Sequence, residues 1–156
     1  MVCVTGDDGT VRLRRLGDSY PDWELLRDGG YSRVRAATVG RLSDGAPVIV
    51  TDGDDGTVRV SRLADGTPVG EPLRGPTGPV NAVAVGRLPD GAAVIVTGGD
   101  DGTVRVWRLA DTTLLLALLH LPEQVSAVAV RGNLIVTAAG TDIAVHQLAL
   151  HHLPSR

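Results

Sequence analysis

Three sets of side chains in this sequence have types and spacings that could do chemistry. The first is the acidic loop Asp52-Gly53-Asp54-Asp55-Gly56, which resembles part of a calcium loop. A twelve-residue calcium loop needs oxygen ligands at alternating positions and a closing bidentate Glu. The loop has neither, so its carboxylates are expected to cap a hairpin turn. The second set is His146, His151 and His152, with His120 apart from them. No cysteine or acidic partner stands in a metal-ligand rhythm beside them, so His146 is expected to be a strand residue and the other two a solvated tail. The third set is Arg12, Arg59 and Arg105, with Arg15, Arg62 and Arg108 three residues further on. Recurrence at a fixed place points to a structural task such as pairing with a nearby Asp. No nucleophile elbow, phosphate-binding loop or paired zinc motif occurs, so a catalytic role is not expected, and neither is a cofactor or metal.

The elements that hold these residues follow from composition. Of 156 residues, 43% are apolar, yet there is no Phe, and Trp and Tyr occur twice each. The core therefore falls to Val, Leu, Ile and Ala. β-Branched residues favour strands, and 20 Gly with 9 Pro supply turns. No capped stripe of helical spacing is present. The formal charge of −3 disfavours a nucleic-acid partner held by phosphate contacts. The single cysteine, Cys3, cannot form an internal disulfide, and no signal peptide is evident, so a cytoplasmic protein is expected. The apolar run Leu114 to Leu121 is broken by His120 and is far shorter than a membrane span.

Self-similarity organises the chain. Gly6-Asp7-Asp8-Gly9-Thr10-Val11-Arg12 returns from Gly53 to Arg59 and again from Gly99 to Arg105. Val39-Gly40-Arg41-Leu42 matches Val85-Gly86-Arg87-Leu88, and Val48-Ile49-Val50-Thr51 matches Val94-Ile95-Val96-Thr97. The period of about 46 is near that of propeller blades. A worn fourth copy runs through Val125 to Val130 and Leu134 to Thr137, with Gly140-Thr141-Asp142 in place of the acidic turn.

Each period reads as four strands, a to d, paired as an antiparallel meander. In the best copy these are Val80 to Val85, Ala93 to Thr97, Thr103 to Leu109 and Thr113 to Leu119. Asp101-Gly102 predicts a type I′ hairpin turn between strands b and c. Strands a and b show little in/out alternation, as expected of a sheet covered on both faces. The alanines of strand a (Ala36, Ala37, Ala82, Ala84, Ala127 and Ala129) suit an innermost strand where sheets converge.

Gly99 to Trp107 and Gly78-Pro79-Val80-Asn81-Ala82-Val83 resemble WD40 repeats of a diverged bacterial type, and the resemblance covers nearly the whole chain. It departs from the family in several places. Trp107 is followed by Arg108 rather than Asp, and the other copies carry Arg14-Arg15, Ser61-Arg62 and His146-Gln147 there. The Gly-His before strand a is replaced by Gly75-Pro76.

The resemblance implies an all-β fold, a partial β-propeller of about 3.5 four-stranded antiparallel blades from roughly 14 strands, against about 4 to 8 blades in closed rings. It forms one domain with blade segments near 1–30, 31–76, 77–122 and 123–156. The first blade lacks a strand a and the last a strand d, so open apolar faces are expected, covered by a second copy in a homodimer or belonging to a fragment of a longer product.

The resemblance also implies that Asp101, Thr97 and Trp107 form a polar set inside the best blade, with Asp55 and Thr51 in the second and Asp8 in the first. Partners dock on the loops before strand a and between b and c. Arg35, Asn81 and Ser126 would stand there, ringed by Asp7, Asp54 and Asp100, a surface suited to a basic peptide. The leading function is a non-enzymatic protein-interaction scaffold. The alternative is a small-ligand or carbohydrate-binding propeller using Tyr20, Trp23 and Tyr31, the aromatic residues clustered in the first blade and after it.

Overall fold

The computed structural model describes residues 2–5, 10–14, 23–27, 33–74 and 78–149. Among them there are fourteen strands and no helix. The first sheet holds β1 (Val2–Thr5), β2 (Thr10–Arg14) and β3 (Trp23–Arg27). The second holds β4 (Val34–Arg41), β5 (Pro47–Gly53), β6 (Thr57–Arg62) and β7 (Leu73–Arg74). The third holds β8 (Val80–Arg87), β9 (Ala93–Gly99), β10 (Thr103–Arg108) and β11 (Leu114–His120). The fourth holds β12 (Val125–Arg131), β13 (Leu134–Ala139) and β14 (Asp142–Gln147). Each sheet is an antiparallel meander in chain order. The four sheets are blades of a partial propeller, with three strands at each end of the series and four in the middle two.

Strands β4, β8 and β12 lie side by side at the inner edge. Small residues allow this approach. A Cβ on Gly40 would stand 2.6 Å from a methyl of Val85, and one on Gly86 would stand 2.6 Å from a methyl of Val130. Each inner strand thus takes the next strand's valine onto a bare glycine. In β12 the residue after Val130 is Arg131, not glycine.

Stacking buries both faces of the middle blades, which is why β5 and β9 do not alternate. Val48, Ile49, Val50, Val94, Ile95 and Val96 are all fully buried. One core, with Val48, Val50, Val58, Val60, Ile95 and Trp107, lies between the second and third blades. A second, with Val94, Val96, Val104, Val106, Val125 and Ile135, lies between the third and fourth. A smaller one joins Val11, Val34 and Ile49. Ordinary alternation returns where no sheet of the described residues covers the far face. In the fourth blade Ile135, Thr137 and Ala139 are buried, whereas Ile143 is 76% and Val145 63% exposed on the far face.

The acidic turns differ from expectation. Gly102 has φ +73° and Gly56 +76°, but neither Asp101 nor Asp55 has positive φ, so the turns are not type I′. Gly102 N–H donates to Gly99 O at 3.1 Å and Gly56 N–H to Gly53 O at 3.2 Å, a turn in which only the last residue is left-handed. The Asp before each glycine stays right-handed because its carboxylate bonds forward: Asp101 Oδ1 accepts from Thr103 N at 3.0 Å and from Thr103 Oγ1 at 2.6 Å. The same Asp-x-Thr clasp closes turns at Asp55, Asp65 and Asp111. These loops are turn caps, as expected, and no group of three or more metal-ligating side chains occurs among the described residues.

Candidate interaction surface

The turns between strands b and c and the residues preceding strand a share one end of the blades. Asp54 N–H donates to Arg33 O at 3.2 Å and Asp100 N–H to Pro79 O at 3.0 Å, so each acidic turn is tied to the start of its own inner strand. These bonds place Asp54 beside Arg35 in sequence register and Asp100 beside Asn81. The structure then joins the two blades. Arg35 Nη1 donates to Asn81 Oδ1 at 3.1 Å, and Asn81 Nδ2 donates to Asp100 Oδ1. Arg35 and Asp100 are exposed, and Asn81 is half-buried. Three of the six candidate docking residues therefore form one hydrogen-bonded chain across the joint.

Asp54 lies at the corresponding place in the second blade and is half-buried. Ser126 does not join the chain: its hydroxyl donates to Ala138 O at 3.2 Å within the fourth blade. A serine is too short to reach across as Asn81 does. Asp7 and Asp8 lie outside the described residues, as do His151, His152, Tyr20 and Tyr31. His120 ends β11 and is exposed.

The implied polar set is only partly assembled. Trp107 Nε1 donates to Thr97 Oγ1 at 3.1 Å, both buried on the face toward the second blade. Asp101 is not their partner. It closes its own turn and pairs with Arg105 at 3.4 Å, as Asp55 pairs with Arg59 at 3.7 Å. Arg59 and Arg105 thus have the structural task expected of the recurring arginines. Burial opposes ionisation of Asp101, but bonds from Thr103 and Arg105 outweigh it and hold the carboxyl below its ordinary range. In the second blade Thr51 is buried with Ser61 at the tryptophan's place.

Sequence reasoning passed over two features. Thr137 Oγ1 and His146 Nε2 are 3.2 Å apart in the fourth blade, at the place of the Thr97–Trp107 pair. The signal was obscured because the turn there is a residue shorter. Asp52 is fully buried between the second and third blades. Its Oδ1 accepts from Ala36 N, while its Oδ2 has no partner. Desolvation raises its pKa from 3.8 to about 6, against bonds from the Ala36 and Arg35 backbones and the charge of Arg35. The third blade has Gly98 in that register, packed under Val125.

At the other end of the blades a cavity of about 400 Å³ lies between the second and third blades, lined by Leu42, Ser43, Ala92, Arg108 and Asp111 among others, with no aromatic side chain. No helix of the described residues is long and apolar enough to cross a membrane.

Comparison with known proteins bears on the fold and the repeat. The sequence matches no curated protein. The crystal structure of the computationally designed Ika4 protein superposes with TM-score 0.71 at 22% identity, over 94% of this chain and 84% of that one. The computationally designed Ika8 protein gives TM-score 0.69 at 24% identity, over 93% of this chain but only 42% of that one. At such identities the likeness is one of fold. The family described as "WD domain, G-beta repeat" matches residues 66–108. That span holds β7 through β10, with the Asp101 turn and the Thr97–Trp107 pair. The match covers one repeat, and the repeated acidic turns and stacked meander blades around it are consistent with a WD40-repeat family.

Proposed function

We propose that the chain is a non-enzymatic protein-interaction scaffold whose docking surface is the blade end carrying Arg35, Asn81, Asp54 and Asp100. The observation that supports it is the Arg35–Asn81–Asp100 chain, which holds exposed polar groups in fixed positions across two rigid blades. Fixed groups lose little entropy when a partner binds. Asp100 uses one carboxylate oxygen on Asn81 and keeps the other for a ligand, and Asp54 adds a second negative charge. A protein or peptide segment with Lys or Arg side chains complements them through charge-assisted bonds. No catalytic step or cofactor is part of this reading. The cytoplasm is its proposed setting, on the single cysteine of the sequence.

The test is binding of a fluorescent Lys/Arg-rich peptide, read by anisotropy, with Asp54→Ala and Asp100→Ala combined. Saturable binding that the double variant abolishes supports the reading. Binding unchanged in that variant places the docking surface elsewhere.

A second copy of the chain is also a proposed partner, a homodimer that covers the exposed Ile143 and Val145. Carbohydrate binding is less well supported, since the cavity between the second and third blades has no aromatic platform.

A further inference from the structure

The opposite end of the blades carries arginines that the docking surface does not use. Arg41 ends β4 and Arg87 ends β8, at the inner rim. Between them is a cavity of about 270 Å³ lined by Val39, Gly40, Arg41, Val85, Gly86 and Arg87, with Ala93 at its margin. Both guanidiniums are oriented by main chain. Arg41 Nη1 donates to Gly45 O at 3.1 Å and Arg87 Nη1 to Gly91 O at 3.1 Å. Arg87 Nη2 reaches the preceding blade, 3.4 Å from Arg41 O and 3.3 Å from Leu42 O.

The charges around them are disposed unevenly. Further out on the same end, Arg108 pairs with Asp111 at 3.0 Å and Arg62 with Asp44 at 4.0 Å. Asp44 and Asp90 on the neighbouring turns give an oxygen to Ala46 N and Ala92 N. Among the described residues no carboxylate forms an ion pair with Arg41 or Arg87. The outer arginines have carboxylate partners, whereas Arg41 and Arg87 are held by carbonyls alone. Carbonyl bonds hold a guanidinium in place without cancelling its charge, so the pair is preorganised for an anion.

The geometry points to a binding cleft for a carboxylate side chain of an acidic peptide segment. Arg41 has its Nε–Nη2 edge unengaged, and this edge matches a carboxylate with two parallel bonds. Arg87 supplies a second positive charge alongside. Val39, Val85 and Ala93 offer apolar contact to the methylenes of a glutamate. The cavity falls below the roughly 300 Å³ at which drug-sized sites begin, which suits one side chain rather than a whole small molecule.

The test uses the full chain and a fluorescein-labelled hexaglutamate peptide, read by anisotropy at low salt. Saturable binding is expected, weakened about tenfold or more by Arg41→Gln, as loss of a charge-assisted bidentate contact implies. Arg87→Gln weakens it too, while Arg62→Gln and the Asp54→Ala/Asp100→Ala pair leave it unchanged. The last variant separates this cleft from the docking surface at the other end. All five positions are exposed or half-buried, and circular dichroism checks that each variant folds. Absence of saturable binding, or equal weakening by Arg62→Gln, overturns the proposal. A preference for a phosphoserine peptide or an oligonucleotide over hexaglutamate overturns the carboxylate assignment.

Discussion

Thr137 hydrogen-bonds His146 in the fourth blade where Thr97 hydrogen-bonds Trp107 in the third, at 3.2 Å and 3.1 Å. Two different rings satisfy the same buried hydroxyl position. Thr97→Val and Trp107→Phe should each cost about 1 kcal/mol, the ordinary net worth of such a bond, and the double variant should cost less than their sum. Trp107→Ala should cost about 3 to 5 kcal/mol, because it also empties the core between two blades. Urea unfolding of the four variants checks this. Full additivity would show that the hydrogen bond contributes nothing.

Asp52 makes stability fall as pH rises. Its folded pKa of about 6 exceeds the ordinary 3.8, so the native state holds a proton that the unfolded chain has released between those values. Stability is full below pH 3.8 on this account and is lost as pH rises through about 6. Asp52→Asn should keep the bond from Ala36, remove that decline and stabilise the protein at neutral pH by up to about 3 kcal/mol. Asp101 acts in the other direction. Its depressed pKa gives stability above 3.8 that is lost as pH falls through the folded value. Thermal melts across pH, with and without Asp52→Asn, measure both limbs.

Gly45 and Gly102 both have positive φ, +84° and +73°, but their surroundings differ. A Cβ at Gly45 meets nothing within 4 Å, so Gly45→Ala should cost only the backbone strain of about 1 to 2 kcal/mol. A Cβ at Gly102 would run into the Leu121 carbonyl, on backbone that also accepts and donates a bond at that turn. Gly102→Ala should therefore be the more destabilising substitution. Equal midpoints for the two variants would contradict this.

The uncovered face of the fourth blade should drive self-association. Light scattering after gel filtration is expected to give a mass above one chain, and Ile143→Lys with Val145→Glu should return it to one. A monomeric parent protein would show that water wets this face without consequence.

The fold was readable because its signals are local and repeated. Gly-Asp-Asp-Gly-Thr-Val-Arg carries a turn, its cap and a strand start in seven residues, and three spaced copies outweigh any one ambiguous segment. The turn type was misjudged because Asp-Gly suggests two left-handed residues, whereas the forward bond to Thr103 keeps Asp101 right-handed. The candidate surface was partly readable. Position within the repeat brought Arg35, Asn81 and Asp100 to one end, but it could not tell that Asn81 would bridge a joint and Ser126 turn back on its own blade. Asp52 drew notice only as part of an acidic run. Its burial depends on the inner strand of the next blade, 28 or more residues away in sequence, and no local pattern encodes that. The cleft between Arg41 and Arg87 was hidden for the same reason, since its two sides come from different periods.

The glycine and valine at the inner edge give the stack a direction. Every nested joint puts a bare backbone on the earlier strand under a methyl group of the later one, so blades are not interchangeable end for end. At Arg131 this grammar stops. A further inner strand built like β8 would bring its valine against a guanidinium stem instead of an empty notch. A sheet without an inner strand, such as β1–β3, brings no valine to that place. Arg131 thus carries a side chain at the register where β4 and β8 present bare backbone to the next strand.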